Sequence, residues 1–136
     1  MAERWADVAP LVPPALRPYL LDFAWTHSAL WSLQLPVESL PVGDLAWQLE
    51  LPWWRHERRA FAISPAEVLR DRARDPAQFA RVLHADLSYP LELTFRGGRW
   101  IILDGIHRLA KAVLQERREV DVRKLPPAAL RLISAQ

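Results

Sequence analysis

The sequence predicts an α+β fold, in which a small mixed sheet with flanking helices follows an N-terminal helical extension. Apolar and polar residues alternate over 91–95 and over 119–123, which is the period of a β-strand. Apolar residues recur at helical spacing from Ile106 to Leu114, as on one face of an amphipathic helix. Two segments begin with a capping residue followed by proline, at Ser64-Pro65 and at Asp75-Pro76, which is typical of helix N-termini.

Composition restricts the class of protein. A chain of 136 residues with 51% hydrophobic and 25% charged residues is typical of a single soluble domain. Because the chain contains no cysteine, disulfides, thiolate metal sites and thiol catalysis are excluded. No apolar run approaches the ~20 residues that cross a bilayer, and residues 1–7 lack the apolar stretch of a secretory signal. We therefore expect a cytoplasmic protein with no membrane partner.

The first part of the chain is rich in proline. Residues 1–36 form the predicted extension, with a helix from Tyr19 to Leu33, and residues 37–136 form the predicted domain. Pro36 and Pro41 are expected to bracket an extended connection. Partial alternation over Val42–Leu49 predicts the first strand, and the charged run 55–59 is expected to be a solvated loop.

Two short helices are expected next. Ser64 at the N-cap with Glu67 three residues later forms a capping box, which marks the first helix. Asp75 is expected to cap the second helix, which would extend to about 84–86. This helix should bury Phe79, Val82 and Leu83.

The remaining elements are read from the second half of the chain. A half-exposed strand over 91–95 is followed by a Gly97-Gly98 turn, and Trp100–Leu103 is apolar on both faces, as in a central strand. The helix from Ile106 leads to a strand over 119–124, and a short helix follows Pro126-Pro127. The predicted order is β, α, α, β, β, α, β, α.

The segment from Asp104 to Lys111 contains the candidate binding residues. A buried strand continues through Asp104-Gly105 directly into a helix, whose first turn leaves backbone N–H groups without acceptors. Glycine permits close approach of a ligand, and the side chains of Arg108 and Lys111 should lean back over the helix start. The pattern predicts an anion site, with phosphate as the natural occupant. The alternative is that Asp104 pairs with Arg108 and only fixes the turn.

The charge at this helix start is unusual. Cations in the first turn oppose the helix dipole at a cost of ~0.3–1 kcal/mol each. His107 and Arg108 occupy positions where stability would favour Asp or Glu. A bound anion would account for both residues.

The same residues carry a family resemblance. The run Asp104-Gly105-Ile106-His107-Arg108 resembles the phosphate-binding motif of the ParB/sulfiredoxin superfamily, and its Asp-Gly-x-His-Arg form is most similar to the ParB-like free-serine kinases. Ser88–Leu93 resembles the strand that precedes the motif in ParB N-terminal domains. The resemblance covers roughly residues 37–126.

The resemblance implies a nucleotide site for ATP, ADP or CTP, with or without Mg²⁺. By this resemblance Gly105, His107 and Arg108 would contact the phosphates, and Asp104 would orient the loop or lie near Mg²⁺. Ile106 and Lys111 complete the phosphate site that we predict. The kinase relatives also need a carboxylate base. Asp44 and Glu50 are the nearest candidates, and Glu50 is equally well explained as a solvent-facing strand residue.

Two departures from the family limit the expected activity. Sulfiredoxin has a cysteine where this chain has Ile106, which excludes sulfinic-acid reduction. ParB adds a helix-turn-helix and a dimerisation domain beyond the pocket, so DNA clamping is not expected here.

Three functions remain open. The first is nucleotide binding with phosphoryl transfer or nucleotide hydrolysis. The second is a non-catalytic sensing or interaction module, in which exposed tryptophans at 5, 25 or 31 dock a protein partner or a second copy. The third, DNA binding through the arginines between 55 and 81, is disfavoured by the interleaved acids and by a net charge of only +2. The four histidines lack the spacing of a metal site.

Overall fold

The computed structural model describes residues 8–135, so the tryptophan at position 5 lies outside the described residues. The strands are β1 (Val37–Pro41), β2 (Trp54–His56), β3 (Arg59–Ile63), β4 (Leu91–Arg96), β5 (Arg99–Asp104) and β6 (Glu119–Leu125). The α-helices are α1 (His27–Ser32), α2 (Pro65–Arg70), α3 (Pro76–His84) and α4 (Ile106–Leu114). Short 3-10 helices cover Ala9–Leu11, Val42–Asp44, Ala46–Glu50, Arg72–Arg74 and Pro127–Ile133.

A four-stranded mixed sheet organises the chain, which confirms the α+β class. The strand order is β1-β6-β4-β5, and β2 and β3 form a separate two-stranded hairpin. β6 is antiparallel to β1 and parallel to β4, whereas β4 and β5 are antiparallel. Helix α4 therefore connects β5, at the edge of the sheet, to β6, which is the neighbour of β4 on its other side.

The positions of β4 and β5 in the sheet differ from the sequence prediction. The strand over 100–103 was expected to be central, but β5 lies at the edge. Its edge is covered instead by Gln48, whose buried side chain accepts a hydrogen bond from Ile102 N and donates to Trp100 O. The prediction that the strand over 91–95 is half exposed is also wrong. β4 is an inner strand of the sheet, and residues 91–94 are all buried.

The expected helix over Tyr19–Leu33 is reduced to α1, which begins after Thr26. The Thr26 hydroxyl accepts a hydrogen bond from Ala29 N and caps the helix. The preceding backbone bonds to the end of the chain, with Thr26 N donating to Ile133 O and Ala135 N donating to Ala24 O. These long-range bonds take the place of helical bonds.

The segment 42–59 also differs from prediction. The predicted strand Val42–Leu49 forms two 3-10 helices, and the strand lies earlier, as β1, in the connection between Pro36 and Pro41. The charged run 55–59 is not a free loop but the tip of the β2–β3 hairpin, whose turn places Glu57 and Arg58 at positive φ.

The local signals of the two capped helices and the glycine turn are confirmed. Ser64 accepts from Glu67 N and Asp75 accepts from Gln78 N, and Gly97 and Gly98 both have positive φ between β4 and β5. In α3, Val82 is buried, but the expected burial of Leu83 is wrong because that side chain is 49% exposed.

Two apolar clusters hold these elements together. The larger lies between the sheet, the hairpin and helices α2 to α4. The smaller joins Leu21 and Leu30 of the N-terminal segment to Leu125 and Ile133. This second cluster packs the N-terminal segment against the end of β6 and the C-terminal 3-10 helix. Within residues 8–135, no helix combines the length and hydrophobicity needed to span a bilayer.

Candidate functional site

The start of α4 requires glycine at position 105. Gly105 has φ +113°, and a Cβ at this position would lie 2.8 Å from Leu91 Cδ2. A side chain here would therefore be strained by the backbone angle and by the contact with Leu91. The first helical bond runs from Leu109 N to Gly105 O. The N–H groups of residues 106–108 therefore have no acceptor within the helix.

Asp104 holds three neighbours at this junction. Its carboxylate accepts hydrogen bonds from Arg108 Nη2 at 3.2 Å and from Trp31 Nε1 at 2.9 Å, and His27 Nε2 lies 3.8 Å away. Arg108 also donates to the Pro90 carbonyl. The Asp104–Arg108 pair that the sequence left as an alternative is therefore formed, and Arg108 has donors beyond these two bonds.

His107 is a neutral residue at this helix start. Its ring stacks on Trp54, with centroids 4.3 Å apart and planes inclined by 10°, and its Nε2 lies 2.8 Å from Gln78 Oε1. Burial, and then the positive charge of Arg81, lower the pKa of His107 to about 4. The expectation that His107 places a cation against the helix dipole is therefore wrong.

Lys111 and Glu50 lie outside this arrangement. The Lys111 ammonium donates to the carbonyls of Leu83 and Ala85, so its predicted reach back over the helix start is wrong. Instead, it joins α4 to the C-terminal end of α3. Glu50 forms an exposed ion pair with Arg70 and does not line the cleft described next. The remaining carboxylate candidate, Asp44, is exposed and lines a different cavity.

A cleft of about 670 Å³ opens at the start of α4 and brings residues 104–108 together. Its charged lining consists of Arg55, Arg81 and Arg108 against the single carboxylate of Asp104. The side chain of Arg81 makes no ion pair or hydrogen bond with any residue that the structure describes. Sequence reasoning placed Arg81 only among the arginines of a possible DNA surface and missed it as a residue of this cleft.

Aromatic residues form much of the remaining wall. The cleft is lined by Tyr19, Trp25 and His27 of the N-terminal segment and by Trp53 and Trp54 near the hairpin. Trp54 is 4% exposed, and its Nε1 is the one buried side-chain nitrogen or oxygen without a hydrogen-bond partner within residues 8–135. An unpaired buried N–H is costly.

The residues present do not fit a resident Mg²⁺. Asp104 is the only carboxylate among the lining residues described, and Arg108 and Trp31 already bond to it. No group of three His, Asp or Glu residues suited to a metal ion occurs within 8–135. A magnesium ion would have to arrive with the phosphates of a ligand.

Two of the arginines between 55 and 81 form ion pairs. Arg70 pairs with Glu50, and Arg74 pairs with Glu67. Of the interleaved acids, Glu67 therefore forms an expected surface ion pair with an arginine, whereas Asp71 and Asp75 cap helices.

No protein-family model matches the chain, and no curated protein or solved structure matches it significantly. The resemblance to the ParB/sulfiredoxin superfamily therefore stays a prediction.

Proposed function

We propose that this protein binds a phosphate-bearing small molecule, with a nucleotide as the expected class, in the cleft at the start of α4. The observation that carries the proposal is that one cleft is lined by Arg81 and by residues 106–108, whose N–H groups have no acceptor within the helix. Helix N-termini and arginines together favour phosphate.

The charge balance supports an anionic ligand. Three arginines and one aspartate line the cleft, and Asp104 is already paired with Arg108. The guanidinium of Arg81 is therefore the cation that a ligand can recruit without breaking an existing contact. This gives Arg81 the role that the sequence assigned to Lys111.

The size and lining of the cleft suit a nucleotide. A volume of about 670 Å³ falls within the ~300–1,000 Å³ range of small-molecule sites. Trp25 and Trp53 are half-buried in its wall and offer aromatic surface to a planar base.

A ParB/sulfiredoxin-like fold for residues 37–126 is part of the same proposal, supported by the Asp-Gly-x-His-Arg run at a strand-to-helix junction.

A thermal-shift panel tests the binding. ATP, ADP, CTP, GTP and inorganic phosphate are compared with and without Mg²⁺, on the wild type, Arg81→Gln and Arg131→Gln. Arg81→Gln is preferred to Arg108→Ala because Arg108 also bonds to Asp104 and Pro90, so its loss would affect folding. Arg131 is exposed and does not line the cleft, which makes it the matched control.

The proposal expects a shift with at least one phosphate compound that Arg81→Gln reduces and Arg131→Gln retains. A ligand at 100 times its Kd stabilises by ~2.7 kcal/mol, which such a panel resolves. If no compound shifts the wild type at millimolar concentration, the proposal is wrong. Phosphate release from the nucleotide that binds then shows whether the protein hydrolyses it.

Exposure of Trp31 favours a second candidate, a non-catalytic module that docks a protein partner. The Trp31 side chain is 58% exposed although its Nε1 bonds to Asp104 in the cleft wall. A docked partner would therefore touch the residue that holds Asp104. Sedimentation of the wild type and of Trp31→Ser tests self-association: a concentration-dependent dimer that the variant loses supports this candidate, and a monomer in both rules out the second copy.

A further inference from the structure

The tautomer of His107 follows from its neighbours on α3. Gln78 Nε2 donates to the Arg55 carbonyl at 2.9 Å, and because that oxygen only accepts, the orientation of the Gln78 amide is fixed. Gln78 Oε1 therefore faces His107 Nε2 at 2.8 Å. Two acceptors at this distance would repel each other, so His107 Nε2 carries the proton and donates it.

The other ring nitrogen of His107 is left with a free lone pair. Nδ1 has no hydrogen-bond partner within residues 8–135, and it is not among the buried atoms that lack one. It is therefore accessible to solvent, on a residue that lines the cleft. Nδ1 stays unprotonated because burial, and then the nearby positive charge of Arg81, lower the pKa of His107 and disfavour the imidazolium.

A neutral acceptor in this place contributes nothing to binding an ionised phosphate oxygen, which also only accepts. We propose that His107 Nδ1 accepts a hydrogen bond from a hydroxyl or amino group of the ligand, and so selects phosphate compounds that carry such a donor close to the phosphate. The inference rests on the proposed function. Proximity follows because His107 and the N–H groups for the phosphate belong to the same helical turn.

The choice of a donor group follows from the chemistry of the free nitrogen. A ligand hydroxyl or amino group can donate to His107 Nδ1, whereas an apolar ligand would leave it unpaired.

The first test needs no ligand. Long-range ¹H–¹⁵N correlation spectra of the histidine side chains at pH 7 report the protonation of each ring nitrogen, and the His107→Asn spectrum identifies the His107 signals by their absence. We expect a neutral ring with the proton on Nε2. A proton on Nδ1, or a charged ring, overturns the inference.

The second test compares 2-hydroxyethyl phosphate with ethyl phosphate, which differ by one hydroxyl. Wild-type protein should bind the hydroxyl compound about 3- to 10-fold more tightly, the advantage of one net hydrogen bond. His107→Phe keeps a ring on Trp54 but removes the acceptor, so the two compounds should bind alike. His107→Asn supplies an oxygen acceptor in place of Nδ1 and should restore part of the preference.

The outcomes distinguish the two proposals. If inorganic phosphate and ethyl phosphate bind but the hydroxyl gives no advantage to the wild type, the inference about His107 is wrong and the proposed function stands. If no phosphate compound binds, both are wrong. Should His107→Phe fail to fold, the wild-type spectra and the wild-type comparison of the two compounds still decide the matter.

Discussion

The imidazole of His107 lies nearly parallel to the indole of Trp54, with ring centroids 4.3 Å apart and planes inclined by 10°. The contact joins the first turn of α4 to the β2–β3 hairpin. It also removes one face of the imidazole from water, and burial is the main cause of the low pKa of His107. A residue that the sequence presents as a cation is thereby held neutral.

The first prediction concerns stability against pH. The pKa of His107 falls from 6.5 to about 4 on folding, so between these values the unfolded chain binds a proton that the folded protein does not. Stability should therefore be fully present above about pH 6.5 and decline as the pH falls towards 4, with a slope of up to ~1.4 kcal/mol per pH unit from this residue. Urea denaturation at intervals over this range measures the slope.

His107→Phe isolates the contribution of that residue. The variant retains aromatic stacking but cannot be protonated, so its stability should fall less steeply with decreasing pH than that of the wild type. Parallel curves for the two proteins would contradict the low pKa.

The second prediction concerns Gly105. Gly105→Ala should lower the free energy of unfolding by about 2–4 kcal/mol, because alanine is strained at φ +113° and its Cβ would displace Leu91. Gly43→Ala is the matched control, since a Cβ there meets nothing within 4 Å, and it should change stability by less than ~0.5 kcal/mol. Equal effects in urea denaturation would argue against the strained helix start.

The third prediction concerns the edge of the sheet. Gln48→Leu removes both hydrogen bonds to β5 and leaves Trp100 O and Ile102 N without these partners. The expected loss is about 2–4 kcal/mol, because buried backbone groups then lack partners. Gln115→Leu, at an exposed position, serves as the control, and a small, similar change in both variants would show that Gln48 is not needed at this edge.

The fourth prediction concerns Lys111. Lys111→Met keeps the length of the side chain but removes the donor to Leu83 O and Ala85 O, so stability should fall by about 1–2 kcal/mol. Arg118→Met, an exposed cation shortly after α4, should have little effect. Hydrogen exchange of the amides at the end of α3 provides a local measurement, and unchanged protection there would contradict the role given to Lys111.

Local signals predicted the parts of the fold that depend on near neighbours. The caps at Ser64 and Asp75 bond to amides three residues away, and the Gly97-Gly98 turn needs only positive φ. The strand at 42–49 was wrong because partial alternation over a short run fits a 3-10 helix equally well. The β2–β3 hairpin was missed because its turn uses Glu57 and Arg58 in place of the usual glycine or asparagine.

The sequence by itself determined that a strand runs through Asp104-Gly105 into α4, and that polar residues crowd this junction. Only the tertiary structure decided what those residues do. His107 is neutral because Trp54 and Gln78 enclose its ring. The Lys111 ammonium donates to a carbonyl just after α3. Arg81 lines the cleft from a helix other than α4. The physical reason is distance along the chain. Caps and turns join residues a few positions apart, whereas protonation state and ion pairing depend on burial and on contacts between residues tens of positions apart.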